Sequence, residues 1–384
     1  MNSIAYISQN KIYLLKDGKS TEIPCGRMEQ YKQTLADIRR RNEWKTTGTG
    51  AKFMGTYTGG IDELDQVINA EICGIAAYKD GIVYSLRLDE SGCIYIRSLD
   101  RTDMNENLIV SGKDIFPGKM SCFGNKLVVS CGENYAEKHI SVYELPSSSC
   151  REYTDGDSIE EAPCFDDENK IYFSTAGYAR DTAGNIAAVQ NKSIVCLDTD
   201  ASQMDEIISD EKYDFLCPKP DENGGLYCIR QPAGGVKDGG DNILKDILMF
   251  PVRIVKAFAG MLNYFSMIFG GESLRSGGNA KAKQKDEKQA FIDGNLINAA
   301  KNMKEAESKG EKYPGIMPQE RILMHIGADG KQETVKNGVL DYTLMSGGGF
   351  AVSNGSHIII VDKDGGTTAF KADKAVSLTE IKPQ

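Results

Sequence analysis

Apolar and polar positions alternate along most of this chain in runs of about five to seven residues, and Gly, Asp or Asn closes each run. The runs are rich in Val, Ile and Tyr, the composition of half-buried strands between tight turns. One unit recurs: an apolar strand, a turn, a second strand, a loop, a third strand, a turn and a short polar fourth strand. GIAAY, KDG, IVYSLRL, DESG, CIYIRSL and NLIVSG form one copy, and GKMSCF, GN, KLVVSC, HISVYEL and REYTDG the next. A third runs from EEAPCF through DDEN, KIYFSTA and SIVCLDT to DEIISDE. A fourth starts as FLCPKP, DENG, GLYCIRQ and resumes much later as RILMHIG and KQETVKNG. DYTLMS, FAVSNG, HIIIVDKDG and TTAFKAD make the fifth.

A spacing of about 40 residues is the length of one propeller blade, as in WD40-like arrays. The C-terminal AVSLTEI reads as a first strand with no second, and the N-terminal SIAYISQ, NKIYLLKDG and STEIPC as second to fourth strands with no first. Joining them removes two unpaired edges and closes a ring. The fold class is therefore all-β, a propeller of about six blades with N/C-terminal strand closure and two helical insertions. Residues 1–26 and 71–384 carry the propeller, 27–70 a helical and Gly-rich insertion, and 232–320 a helical insertion inside one blade.

EEAPCFDDENKIYFSTA and YDFLCPKPDENGGLYCIRQ resemble blades of TolB-like propellers and of the N-terminal propeller of dipeptidyl-peptidase IV. Pro163 with Asp166 and Asp167, and Pro218 and Pro220 with Asp221, match the Pro-bearing first strand and Asp-rich turn of those families. The resemblance implies a fold and leaves function open. No G-x-S-x-G nucleophile elbow occurs, so the peptidase activity does not carry over.

In the first insertion Met28, Tyr31, Leu35 and Ile38 share one helical face, expected to pack on the ring. The following GTGAKFMG lacks the G-x-x-x-x-G-K-[ST] pattern and, with Phe53 in the place of the last Gly, the dinucleotide pattern too; it reads as a plain glycine-rich loop. The second insertion centres on DNILKDILMFPVRIVKAFAGMLNYFSMIFGG, the most apolar stretch in the chain. Pro251 suits the first turn of a helix. Arg253, Lys256 and Asn263 make a membrane crossing costly, and the chain leaves and re-enters one blade. Three uses remain: packing on the ring, docking a partner, or lying in a membrane interface. Phe250, Phe258, Phe265 and Phe269 supply anchors for the last two, and Arg253 and Lys256 supply charges for anionic head groups. SGGNAKAKQKDEKQ reads as a linker, and FIDGNLINAAKNMKEAESKGEK as a further helix through Phe291, Leu296, Ile297, Ala300 and Met303.

The net charge of −10 speaks against a nucleic-acid partner. The ten cysteines include no C-x-x-C pair and read as buried free thiols in a reducing, cytoplasmic setting, peripheral to a membrane if residues 242–269 bind one. The N-terminus shows no signal peptide. His139, His325 and His357 form no ligand cluster, and neither metal nor cofactor is expected. Glu160, Glu161, Asp214, Asp341 and Glu380 fall on first strands, where they could ring a channel mouth. Arg180 and Asp181 read as a loop ion pair. The functional expectation is a non-catalytic interaction scaffold with an unidentified protein partner. A membrane-associated propeller and a lactonase-like or lyase-like enzyme are the alternatives.

Overall fold

A computed structural model of the protein describes residues 3–46, 70–88, 91–99, 105–113, 115–133, 137–180, 182, 186–234, 289–292 and 295–382. The strands form six four-stranded antiparallel blades. The first blade joins the two ends of the chain. Its strands β1 (Ser3–Ser8), β2 (Lys11–Lys16) and β3 (Lys19–Ile23) are completed by β27 (Val376–Ile381), which pairs with β1 through Ser3 opposite Ile381 and Ile4 opposite Glu380. The ring closure expected from the unpaired terminal strands is thus present.

The second blade holds β4 (Ala70–Tyr78), β5 (Gly81–Leu88), β6 (Ser91–Ser98) and β7 (Glu106–Gly112). The third holds β8 (Met120–Phe123), β9 (Lys126–Cys131), β10 (His139–Glu144) and β11 (Ser149–Glu152). The fourth has β12 (Ser158–Phe165), β13 (Lys170–Arg180), β15 (Ser193–Asp198) and β16 (Gln203–Ile208), with β14 (Ile186–Val189) paired to the end of β13. In the fifth, β17 (Tyr213–Pro220) and β18 (Leu226–Pro232) meet β21 (Ile322–Ile326) and β22 (Gln332–Asn337). The sixth has β23 (Asp341–Leu344), β24 (Phe350–Ser353), β25 (His357–Val361) and β26 (Thr367–Lys371).

Local chemistry sets the hairpins. Asp221 turns its carboxylate back onto the amides of Asn223 (2.7 Å) and Gly225 (2.8 Å), and Asp362 does the same for Asp364 (3.0 Å) and Gly366 (2.7 Å). Such Asx turns fix the register of the strands they join. Alternation then delivers one apolar face of each blade to its neighbour. Tyr84 and Ile12 meet between the first two blades, Phe173 and Ile140 between the third and fourth, and Tyr342 and Ile229 between the fifth and sixth, all essentially buried.

Among the described residues two helices stand outside the blades. α1 (Gly26–Thr46) begins on a carboxylate, since Glu106 accepts from the amides of Gly26 (3.0 Å) and Arg27 (2.9 Å), where the helix dipole favours negative charge. Met28 is buried and Tyr31 packs on the core, but Ile38 is 45% exposed. The expected apolar face therefore seats only its first turns. α2 (Ala299–Ser308) starts at Asn298, whose side chain accepts from the amide of Lys301 at 3.0 Å. It is shorter than the helix expected here. The preceding residues form a hairpin, β19 (Gln289–Ile292) with β20 (Asn295–Asn298), in which Phe291 faces Leu296 in register and Ile297 faces Ala290. In sequence the two strands are separated by Asp-Gly, a dipeptide common in two-residue hairpins. No described helix is long and apolar enough to cross a membrane.

Candidate functional site: the central channel

The innermost strands β27, β4, β8, β12, β17 and β23 contact one another in ring order and enclose a channel. Four of them carry one extra residue relative to their partner: β4 between Ile72 and Gly74, β12 between Glu161 and Cys164, β17 between Leu216 and Lys219, and β27 opposite Ala5 to Ile7. Such bulges bend a strand and re-aim its side chains. At three of them a non-glycine residue adopts the left-handed region: Ala162 (φ 53°), Cys217 (φ 53°) and Ser377 (φ 52°). Pro163 and Pro218 follow the first two, where the broken ladder leaves room for a residue with no amide hydrogen. Gly74 lets β4 close on the third blade, since a Cβ there would lie 2.6 Å from the carbonyl of Gly118.

Two cavities meet at these bulges. The wider, of about 340 Å³, opens past Glu71, Phe116, Lys138, Glu161 and Lys192. The narrower, of about 140 Å³, runs past Cys122, Pro163, Cys164, Pro218, Lys219 and Asp341. Lys119, Ala162, Cys217 and Ser377 line both and form the waist.

The charged groups of the channel are partnered. Lys192 Nζ bonds Glu161, and Lys119 Nζ lies 3.6 Å from Asp341 and 3.1 Å from Cys217 Sγ. Lys219 Nζ donates to the carbonyl of Leu378 at 3.3 Å and sits 5.3 Å from the centre of the Tyr342 ring. Asp341 accepts from the amides of Tyr342 (2.9 Å), Leu378 (3.4 Å) and Ser377. At the rim, Glu71 is met by Arg87 at 2.8 Å, and Arg87 and Lys138 lie 4.6 Å and 5.8 Å from the centre of the Phe116 ring. The Lys192 ammonium outweighs the burial that would raise Glu161, and with Lys138 and Lys119 it holds that carboxyl down at about 2. Burial by itself would raise Asp341, yet Lys119, Lys219 and the amides of Tyr342 and Ser377 keep it below the usual carboxylate range. Burial pushes the thiols of Cys73 and Cys122 up to about 12 and raises Cys164. The lining thus consists of fixed ion pairs and protonated thiols.

Of the five first-strand carboxylates, only Glu161 and Asp341 reach the channel. The other three fasten the structure. Glu160 accepts from His139 Nδ1 (2.8 Å), Thr154 (3.2 Å) and Ser158 (2.6 Å). Asp214 accepts from the amide of Lys192 (2.9 Å), and Glu380 from the amide (2.8 Å) and hydroxyl (3.1 Å) of Ser346. The other histidines lie away from the channel: His325 pairs with Asp221 at 2.8 Å, and His357 packs on Tyr313. Among the described residues no group of three His, Cys, Asp or Glu side chains is placed to hold a metal. Arg180 pairs with Asp157 and Glu137, whereas Asp181 lies outside the described residues. So do Phe250, Arg253, Lys256, Phe258, Phe265 and Phe269 and the GTGAKFMG segment.

The four channel lysines were not singled out by the sequence. A signal was present for two of them. Lys138 and Lys192 both stand one residue before a third strand, in consecutive blades.

No protein-family model and no curated protein sequence matches the chain. Solved structures do. TolB from Acinetobacter baumannii superposes with a TM-score of 0.50 at 10% identity, over 99% of this chain and 66% of that one. The fold is a TolB-like propeller. This chain spans just under two thirds of the length of that TolB chain. A protein from Lactobacillus plantarum aligns over 100% of both chains (TM-score 0.44, 10% identity). A gluconolactonase from Xanthomonas campestris aligns over 80% of this chain and 77% of its own (TM-score 0.40, 11% identity). At 10% identity the superposition on TolB speaks for the architecture and not for the chemistry.

Proposed function

We propose that this TolB-like propeller is a non-catalytic interaction scaffold that engages a protein partner at the wider mouth of its channel. The observation behind this reading is a coincidence of place. The mouth carries Lys119, Lys138 and Lys192, and the long insertion leaves and returns at the same rim. Gln231, next to the last residue of β18, lines the wide cavity. Arg321, where the chain returns, bonds Gln231 and donates to the carbonyls of Val339 (2.9 Å) and Leu340 (3.2 Å). Leu340 and Val376 line the cavity and pack with Ile316 and Met317, which follow α2. A partner reaching the lysines therefore also meets the described end of the insertion around Ile316 and Met317, and the apolar sequence of residues 242–269 is the proposed docking surface. Fixed ion pairs and protonated thiols are groups suited to binding rather than to proton transfer.

The test is affinity capture of the tagged full chain from its native host, beside Lys138→Glu and a variant with residues 236–287 replaced by a short linker. Species held by the parent and lost from either variant support the scaffold. Capture equal in all three, or none at all, removes the mouth from the account. Flotation with anionic vesicles separates the membrane alternative.

A further inference from the structure

A groove opens between the first and sixth blades, on the face of the ring away from the wide mouth. Leu340 lines the wide cavity and Asp341 the narrow one, so β23 runs away from the wide mouth to its turn at 345–349. That turn, the turn at Asp17 and Gly18 after β2, and the turn that follows β25 bound a groove of about 450 Å³. Its size is in the range of small-molecule sites. Its walls are the uncovered edge of the core between the two blades. Leu15 is buried there, and Met345, Ile360 and Phe370 are half-buried against the same cluster.

The rim of this groove is acidic. Asp17, Asp362 and Asp364 stand there with one ammonium, Lys363, and among the described residues none of the three carboxylates makes an ion pair. Lys16 and Lys19, the cations on either side of Asp17, line a different groove, between the first and second blades. Asp362 holds the amides of Asp364 (3.0 Å) and Gly366 (2.7 Å) with Oδ1 alone, which leaves Oδ2 for a ligand. Missing side chains keep the groove open. A Cβ at Gly18 would press on the Phe370 ring at 3.3 Å, and a Cβ at Gly347 would meet nothing within 4 Å.

We propose that this groove binds a small organic cation with an apolar, ring-bearing body. The body packs on Met345, Ile360 and Phe370, and the ammonium faces Asp17, Asp362 and Asp364. Apolar walls with a few convergent polar groups are the ordinary make-up of such a site. A carboxylate beside the same walls would be repelled. A second copy of the chain is disfavoured as occupant, since each copy carries a net −10. The groove and the wide mouth lie on opposite faces, so this inference does not rest on the scaffold reading.

The full chain, labelled with carbon-13 at its methionine methyl groups, is titrated with tryptamine, 3-methylindole and indole-3-propionate at constant ionic strength. Met345→Leu assigns the Met345 signal. A saturable shift of that signal with tryptamine is expected, with binding roughly tenfold weaker for the neutral and the anionic compound. Asp17→Asn and Asp362→Asn should weaken tryptamine roughly threefold each, the scale of one exposed charge contact. Asparagine suits both turns, since it tolerates the left-handed φ of 50° at 17 and can accept the same amides at 362. Gly347→Leu fills the groove from a position with room for a side chain, so it should melt like the parent and lose the saturable shift. Lys138→Glu, at the wide mouth, should bind tryptamine like the parent, which keeps this inference apart from the scaffold reading. The groove is refuted as a cation site if tryptamine does not saturate, if 3-methylindole or indole-3-propionate binds as tightly, or if Gly347→Leu binds like the parent. A parent that sediments as a dimer beside a monomeric Gly347→Leu would assign the groove to a second copy and overturn the proposal. A Phe-Lys pentapeptide held tenfold more tightly than tryptamine would make the occupant a peptide and overturn it too.

Discussion

Asp341→Asn separates what holds the ring from what charges the channel. The side chain at 341 is 4% exposed. One carboxylate oxygen accepts from the amide of Tyr342, and the other from Ser377 and Leu378 on β27, the strand that closes the ring. Asparagine offers one acceptor oxygen, so its NH₂ must face at least one of these buried donors. A buried donor left unsatisfied costs about 1–3 kcal/mol, and losing the charge weakens the remaining bonds. A total of about 2.5 kcal/mol follows. Unfolding entropy of about 2.1 cal/mol/K per residue amounts to roughly 0.8 kcal/mol/K for a chain of 384 residues, so the midpoint falls by about 3 °C. Lys119→Met is expected to do less, under about 1 kcal/mol, because Lys119 is 35% exposed and its contact with Asp341 is 3.6 Å long. Thermal melts read both variants beside the parent. An Asp341→Asn protein as stable as the parent, or a Lys119→Met protein destabilised as much as Asp341→Asn, would refute the assignment of the closing force to the amides.

Three further outcomes follow from the same structure. Glu161 titrates at about 2 against an ordinary 4.5, so the stability it contributes is complete above pH 4.5 and is lost as pH falls towards 2. With a third of its side chain exposed and screened, that amounts to on the order of 1–2 kcal/mol, and Glu161→Gln should flatten this part of the stability–pH curve measured by denaturant titration. Of the ten cysteines only Cys150 is exposed, so a thiol reagent at pH 8 should label one site quickly in the native protein and the rest after unfolding, as peptide mapping would show. Deleting residues 375–384 removes β27 and leaves β1 an open edge, so cooperative thermal unfolding should disappear; a sharp transition in the truncated protein would contradict closure by this strand.

The blades were legible because a hairpin is a local object. Alternating Val, Ile and Tyr with Asp-rich turns such as Asp221 and Asp362 determines each strand pair within a few residues of sequence. The long return from β18 to β21 was also readable, since RILMHIG fits only as a missing third strand. The segment 289–298 reads as helix because Phe291, Leu296, Ile297, Ala300 and Met303 recur at nearly helical spacing, whereas the pairing of Phe291 with Leu296 across two strands leaves no linear period to find. Ile38 was expected to be covered, but helical spacing describes a face without describing how far the ring extends beneath it. The channel was the least legible part. Which side chains reach the axis depends on a one-residue bulge in four of the six inner strands and on the assembly of six separate blades. Lys119, Lys138, Lys192 and Lys219 converge from four segments of the chain, and Glu160 and Glu161, neighbours in sequence, end on opposite duties.

The central claim is that the wide mouth of the channel is the working surface. A photo-reactive amino acid placed at position 138 on the rim, and separately at position 204 on β16, where Met204 is 50% exposed at the outer edge, tests it in the native cell. A discrete adduct from position 138 and none from position 204 is predicted. Adducts from position 204 alone would put the working surface on the outside of the ring and contradict the account.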